Sequence, residues 1–323
     1  DEGRIYVLWN QNIGKSGWIY YHTGIMKGMY SDDNGKTWSD PQKVPLRHSP
    51  YYDDPDKQIP PEWIVWQKPM KDIQNNYLVG YSRWVKPEHA YLETVDNWTE
   101  IESVCEFMRF TNIEDHPEPR NINILYSGWG NNALKVPHFK HPRLSIAQEP
   151  SIIRLPDNRL FCVMRTNTGY IWYSLSDDDG ITWTNPQPLL RKDHGDPILQ
   201  PVSPCPIYQM ADGRYILLHH NNKWNREKMP ANPRRPAYIA LGEYRADAQQ
   251  PIWFSRSKVF LDNGGINVQG EKDKTAQIAT YTSFTTQNDK NILWYPDRKC
   301  FLLGKEVTKG FLEDLEVPNK KED

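Results

Sequence analysis

The sequence predicts an all-β chain: a six-bladed β-propeller of four-stranded antiparallel blades, one domain over residues 1–323. Three features carry that expectation. Short strand-like runs recur along the chain, an eight-residue motif occurs twice, and a turn-then-strand pattern recurs.

The runs at 5–9, 63–66, 77–81, 122–126, 170–175, 215–218, 238–241 and 301–303 are rich in β-branched and aromatic residues. Gly, Asn, Asp and Pro bound them, which is how strands read, and helix-period stretches are scarce. No Pro/Ser-rich linker divides the chain.

The motif is Ser31-Asp32-Asp33-Asn34-Gly35-Lys36-Thr37-Trp38, which returns as Ser176-Asp177-Asp178-Asp179-Gly180-Ile181-Thr182-Trp183. S-x-D-x-G-x-T-W describes a hairpin corner. The Asp carboxylate and the hydroxyls bond turn amides, Gly takes the positive φ, and Trp covers the junction. The distal bidentate Glu of an EF-hand is missing, so these aspartates read as turn formers rather than calcium ligands. A degenerate copy is expected at Thr94-Val95-Asp96-Asn97-Trp98.

The turn-then-strand pattern runs through Asp1-Glu2-Gly3-Arg4, Asp157-Asn158-Arg159 and Asp212-Gly213-Arg214, each followed by an apolar run, with Asn288-Asp289-Lys290-Asn291 a looser member. Hairpins repeating at roughly 50 residues per four-stranded unit give about six blades. Because the chain opens on such a turn, a further strand is expected upstream of Asp1.

Composition narrows the function. Lys and Arg number 39 against 41 Asp and Glu, a net charge of -2, which argues against nucleic acid or an anionic membrane as the main partner. No run approaches the ~18 apolar residues that span a bilayer. Thirteen Trp and 18 Tyr supply bulk for a core or a groove. Cys105, Cys162, Cys205 and Cys300 lie far apart without metal spacing, and do not fix the redox compartment. His138 and His141 have zinc-like spacing but no evident third ligand, and no GxxxxGK loop occurs; neither a metal nor a cofactor is expected.

Turn arithmetic then places chemistry. Glu149 and Arg165 lie eight residues either side of Asp157, so antiparallel pairing brings them together at the end away from that turn. The Asp212 turn sets Pro204 and Cys205 against His220 and His219. The Asp289 turn sets Tyr281 against Asp297, with Tyr295 near. Glu, Arg, His and Tyr thus converge on one face, as a binding site requires. The plainer readings stay open: a cross-strand ion pair for Glu149–Arg165, and core cover for Tyr281.

These residues resemble the sialidase (neuraminidase, BNR-repeat) superfamily. The resemblance rests on the two Asp boxes, on 149–159 continuing through Arg165 and Gly169, on Ser203-Pro204-Cys205-Pro206 with Asp212-Gly213-Arg214, and on Tyr281-Thr282-Ser283-Phe284. It covers roughly residues 1 to 305. It implies an arginine cluster holding a substrate carboxylate, a Tyr nucleophile activated by Glu, and an Asp acid/base. By position, Glu149 resembles the base, Arg165 the second arginine, Tyr281 the nucleophile, and Arg234 or Arg235 the third arginine. Asp53 lies in the region of the acid/base, with Asp54 and Asp56 beside it, and His220 and Tyr295 are expected to contact substrate. The family's first arginine falls before Asp1.

The resemblance thus implies an exo-acting, retaining glycoside hydrolase on a carboxylate-bearing sugar such as sialic acid, with a glycan or glycoconjugate as partner. A secreted or periplasmic location is expected on the same ground. Two alternatives remain: a polysaccharide lyase on uronate glycans using His219, His220 and Tyr281, and a non-catalytic carbohydrate-binding propeller.

Overall fold

Turn chemistry decides where each hairpin closes. The computed structural model describes residues 3–14, 20–90, 101–223, 234–268, 276–278, 280–288 and 290–319. In the first Asp box, Asp33 Oδ1 accepts from the Thr37 amide (2.8 Å) and Oδ2 from the Thr37 hydroxyl (2.7 Å), while the Gly35 amide donates to Ser31 Oγ at 2.8 Å. Gly35 has φ 84, open to glycine without steric cost. These donors hold the Asp33 pKa down at about 2. The second box repeats the scheme, with Asp178 accepting from the Thr182 amide and hydroxyl at 2.8 and 2.6 Å. The expected copy at residues 94–98 lies outside the described residues.

The described residues form five antiparallel sheets. The first contains β1 (Ile5–Asn12), β2 (Gly24–Ser31) and β3 (Gln42–Lys43). The second contains β4 (Trp63–Ile64), β5 (Met70–Lys71), β6 (Tyr77–Trp84), β7 (Ser103–Phe110) and β8 (Ile124–Ser127). The third orders β9 (Gln148–Arg154), β10 (Leu160–Arg165), β11 (Trp172–Ser176) and β12 (Gln187–Pro188) as a four-stranded meander. The fourth contains β13 (Ile207–Gln209), β14 (Tyr215–His219), β15 (Ala237–Tyr244), β16 (Ile252–Phe254) and β17 (Lys258–Leu261). The fifth contains β18 (Ser283–Gln287), β19 (Lys290–Asp297) and β20 (Phe301–Glu306), and the short helix α1 (Lys309–Glu313) follows it.

Five sheets correct the expected six blades. The arithmetic spread strands evenly along the chain, but residues 44–62, 128–147 and 262–282 add length without a named strand among the described residues. Blade size also varies, from three strands to five.

Contacts divide the chain into two compact units, residues 1–148 with 178–183 and residues 149–177 with 184–323. In the first unit, Met26, Val44, Trp63, Val79, Tyr81, Met108, Phe110 and Ile122 form a buried core. In the second, one core packs Phe161, Val163, Ile171, Leu217 and Phe254, and another packs Ile216, Leu218, Ile239, Phe260 and Leu293. Successive residues of β14 enter different cores, so this strand is apolar on both faces. Each such side chain contributes about 1.5–3 kcal/mol relative to exposure. No helix of the described residues is long and apolar enough to cross a membrane.

Candidate functional site

The second unit gathers a polar cluster at the ends of its strands. The turn between β9 and β10 pairs Leu155 with Arg159 (N–H to O, 2.8 Å), with Asn158 at φ 70. That register, carried back along the hairpin, sets Glu149 against Arg165. Arg165 Nη1 donates to Glu149 Oε1 at 2.7 Å, and the two side chains are 3% and 2% exposed. Ser176 pairs with Leu160, so the second Asp box begins at the other end of the sheet from Arg165. Glu149 has φ 51, a left-handed conformation that costs a non-glycine residue about 1–3 kcal/mol and gathers at functional positions.

Tyr281 and Arg234 reach the same carboxylate region from other segments. The residues flanking Tyr281 are pinned: Thr280 Oγ1 donates to Pro204 O at 2.6 Å, and Tyr208 Oη donates to Thr282 O at 2.6 Å. Gln200 braces that loop, donating to Ser203 O and Pro204 O while accepting from the His220 amide. The Tyr281 hydroxyl then lies 3.4 Å from Glu149 Oε1. Arg234 is 5% exposed, donates from Nη2 to Val202 O at 2.7 Å, and interacts with Tyr281, Arg165 and Glu149.

The electrostatics follow from burial. Desolvation pushes the Tyr281 phenol up and Glu149 adds to it, while Arg234 and Arg165 pull the other way. Burial opposes the Arg165 charge, but Glu149 and Tyr281 outweigh it and its pKa is raised. For Arg234, burial dominates and its pKa is lowered. With Glu149 spent on Arg165, the cluster of two guanidiniums, one carboxylate and one phenol carries a surplus positive charge. Burial likewise pushes up the Cys205 thiol, with Glu149 adding to the effect.

The other expected residues are placed as follows. Arg235 leaves the cluster and pairs with Asp262 at 3.0 Å near the surface. His220 and His219 are buried: His220 Nδ1 meets Pro236 O at 3.1 Å, and His219 Nδ1 meets Leu199 O while its Nε2 meets Ser257 Oγ at 2.8 Å. Burial lowers His220 to about 3 and His219 to about 4, so both imidazoles are neutral at ordinary pH. The Asp212 turn has the expected register, with Ile207 opposite Leu217. The last hairpin does not: Ser283 pairs with Trp294 and Gln287 with Lys290, one residue off the register centred on Asp289. Tyr295 packs against the second core of its unit. Burial lowers His138 to about 4 and His141 adds to that; no group of three His, Cys, Asp or Glu that could hold a metal exists among the described residues.

Asp53 belongs to the first unit and to a network that sequence reasoning missed. Arg83 Nη1 donates to both Asp53 oxygens (2.7 and 2.8 Å), and Arg83 Nε donates to Glu106 Oε2 at 2.7 Å; all three side chains are 0% exposed. Tyr81 Oη donates to Glu106 Oε2 at 2.5 Å. Nearby, buried Lys86 Nζ meets Glu62 Oε2 at 2.8 Å and the Thr23 hydroxyl at 2.9 Å. The signal was present: Arg83 and Lys86 sit in or beside an apolar strand, where a charge needs a partner.

Solved structures share the fold at low identity. An intramolecular trans-sialidase from Ruminococcus gnavus, solved with oseltamivir carboxylate, aligns with TM-score 0.52 and 18% identity over 92% of this chain and 52% of its own. A protein of unknown function from Dyadobacter fermentans gives TM-score 0.56 and 13% identity over 98% and 78%. The leech intramolecular trans-sialidase gives 0.50 and 16% over 88% and 36%. The chain therefore spans about half the length of the first of these and about a third of the last. No curated protein matches the chain. These likenesses establish a sialidase-like all-β propeller fold. A family model described as the BNR repeat-like domain matches residues 2–231, well over half of the 323 residues, and the chain belongs to that family.

Proposed function

We propose that the second unit carries a glycosidase site for a terminal sugar bearing a carboxylate, of which sialic acid is the type. The observation that carries the reading is the surplus positive charge around Tyr281. Arg165 is matched by Glu149 at 2.7 Å, whereas Arg234 is buried, bonds a backbone carbonyl and the Tyr281 phenol, and shares that same carboxylate at longer range. An anion completes that set, and a guanidinium offers it bidentate hydrogen bonds.

In this reading Arg234 and Arg165 hold the sugar carboxylate. Tyr281 Oη attacks the anomeric carbon as Glu149 takes the phenolic proton, and the bond to the leaving group breaks. Water then releases the sugar with net retention. A neutral phenol suits an anionic sugar because it approaches without charge repulsion. Burial raises the phenol's pKa, so Glu149 has to act as the proton acceptor at the moment of attack. Asp53 lies in the first unit, held by Arg83, and is given no part in this step.

The test is fluorophore release from an aryl sialoside by the full chain, comparing wild type with Tyr281→Phe and Glu149→Gln. The reading expects release that falls by about 10²–10⁴ in each variant. Equal release in the variants would sink the site assignment.

A second reading, carbohydrate binding without turnover, draws on Asp53 being fully enclosed by Arg83. Sialoside binding with no release, unchanged in Tyr281→Phe, selects it. The lyase reading gains nothing from His219 and His220, whose rings are buried and bonded to backbone carbonyls. Under the glycosidase reading the chain acts outside the cytoplasm, where glycoconjugates are displayed.

A further inference from the structure

The first unit contains a cleft of about 710 Å³ between the segment 43–47, the strand β8 region 124–127, and the second Asp box at Ile181. Three cations line it, Lys43, Arg47 and Arg109, and no carboxylate does. Arg109 is already matched by Asp72 at 2.8 Å. Lys43 and Arg47 have no ion-pair partner among the described residues.

Arg47 is the best placed of the two. Its guanidinium carbon lies 4.6 Å from the Trp129 ring centroid, and its amide donates to Tyr126 Oη at 2.9 Å. Tyr126 packs on Trp129 at 5.1 Å between centroids. The backbone and the face of the guanidinium are therefore held, while its N–H edges remain for a ligand. Stacking fixes the plane without consuming donors, which prepares Arg for bidentate recognition of an oxyanion. Arg83, the other guanidinium near Trp129, is consumed by Asp53 and Glu106. Beside these cations the cleft offers Leu125 and Ile181, 61% and 58% exposed. Cations beside an apolar wall match an anionic group carried on a ring with a C–H face.

We propose that this cleft is an anion-binding subsite for an acidic sugar, with Arg47 as the main ligand to its carboxylate or sulfate and Lys43 as a second charge. The proposal stands on the first unit alone and holds whether or not the second unit is a glycosidase.

Protein-observed amide NMR on the full chain tests it, with sodium glucuronate, galactose 6-sulfate, glucose and inorganic sulfate as probes. Shifts at residues 43, 44, 46, 47 and 124–127 are expected with glucuronate or galactose 6-sulfate, and which of the two binds identifies the anion. Arg47→Gln should weaken that binding about tenfold or more, with the rest of the spectrum unchanged; Arg234→Gln should leave it unaltered. Glucose binding as strong as glucuronate, inorganic sulfate as strong as galactose 6-sulfate, no shifts at these amides, or the same affinity in Arg47→Gln would each overturn it.

Discussion

Removing Glu149 from the Glu149–Arg165 pair should cost far more stability than losing an ordinary ion pair. The oxygen and nitrogen are 2.7 Å apart, and the side chains are 2% and 3% exposed. At an effective dielectric of 20 the attraction is about 6 kcal/mol, while burying each ion costs several kcal/mol. The pair therefore roughly breaks even against an apolar replacement, but removing Glu149 takes the carboxylate from two buried guanidiniums, whereas removing Arg165 leaves Glu149 with Arg234. Glu149→Gln is expected to destabilise by about 3–5 kcal/mol, Arg165→Met by clearly less, and the double variant by less than their sum. For a unit of this size the Glu149→Gln loss is a fall of order 10 °C in Tm. Gln keeps the left-handed backbone requirement of position 149, so the comparison isolates charge rather than φ. The assay is denaturant unfolding of the four proteins followed by tryptophan fluorescence. A Glu149→Gln loss below about 1 kcal/mol would refute the reasoning, because it would mean the pair is solvated.

Three further outcomes follow from the same geometry. Arg234→Gln should abolish sialoside or acidic-sugar binding in the second unit, measured by calorimetry, while Arg235→Gln, whose partner Asp262 is near the surface, should change stability by less than about 1 kcal/mol and leave binding intact. Burial raises the Glu62 pKa to about 7, with Lys86 only partly offsetting it. The folded state then holds a proton the unfolded chain has lost, so the contribution is full below about pH 4.5 and disappears as pH rises to about 7; the denaturation midpoint should fall over that window in wild type and be flatter in Glu62→Gln. Asp53→Asn strips a fully buried guanidinium of one carboxylate and should cost about 3 kcal/mol in unfolding free energy; a variant as stable as wild type would show that Glu106 alone satisfies Arg83.

What the sequence made legible was set by turn geometry. In the Asp157 and Asp212 hairpins, three residues separate Leu155 from Arg159 and Met210 from Arg214. The central Asp is then the symmetry point, and counting outward places Glu149 against Arg165 and Cys205 against His219. In the last hairpin only two residues separate Gln287 from Lys290, so centring on Asp289 slips the register by one and turns each assigned side chain to the other face. Tyr295 was assigned to the site on that slipped register. Tyr281 escapes the error because β18 begins at Ser283, and hydrogen bonds at Thr280 and Thr282, not the ladder, hold it. Blade number failed for a related reason, since repeat length measures strands and connections together.

The network that counting missed joins one strand pair to a loop distant in sequence. Arg83 on β6 meets Glu106 on β7, whose direct cross-strand partner is Tyr81, and Asp53 from a loop thirty residues earlier. No spacing rule links the three, but burial does: a guanidinium inside an apolar strand demands carboxylates. That demand separates structural from functional arginines throughout the chain. Arg83 and Arg109 each meet a carboxylate within 2.8 Å, and their charge is accounted for by the fold itself; Arg165 meets Glu149 at 2.7 Å beside Arg234, where two guanidiniums share one carboxylate. Arg234, among the buried side chains, meets a carbonyl and a phenol, and Arg47, over Trp129, meets an aromatic face. In the readings proposed above, an anionic ligand supplies the charge that meets each of them.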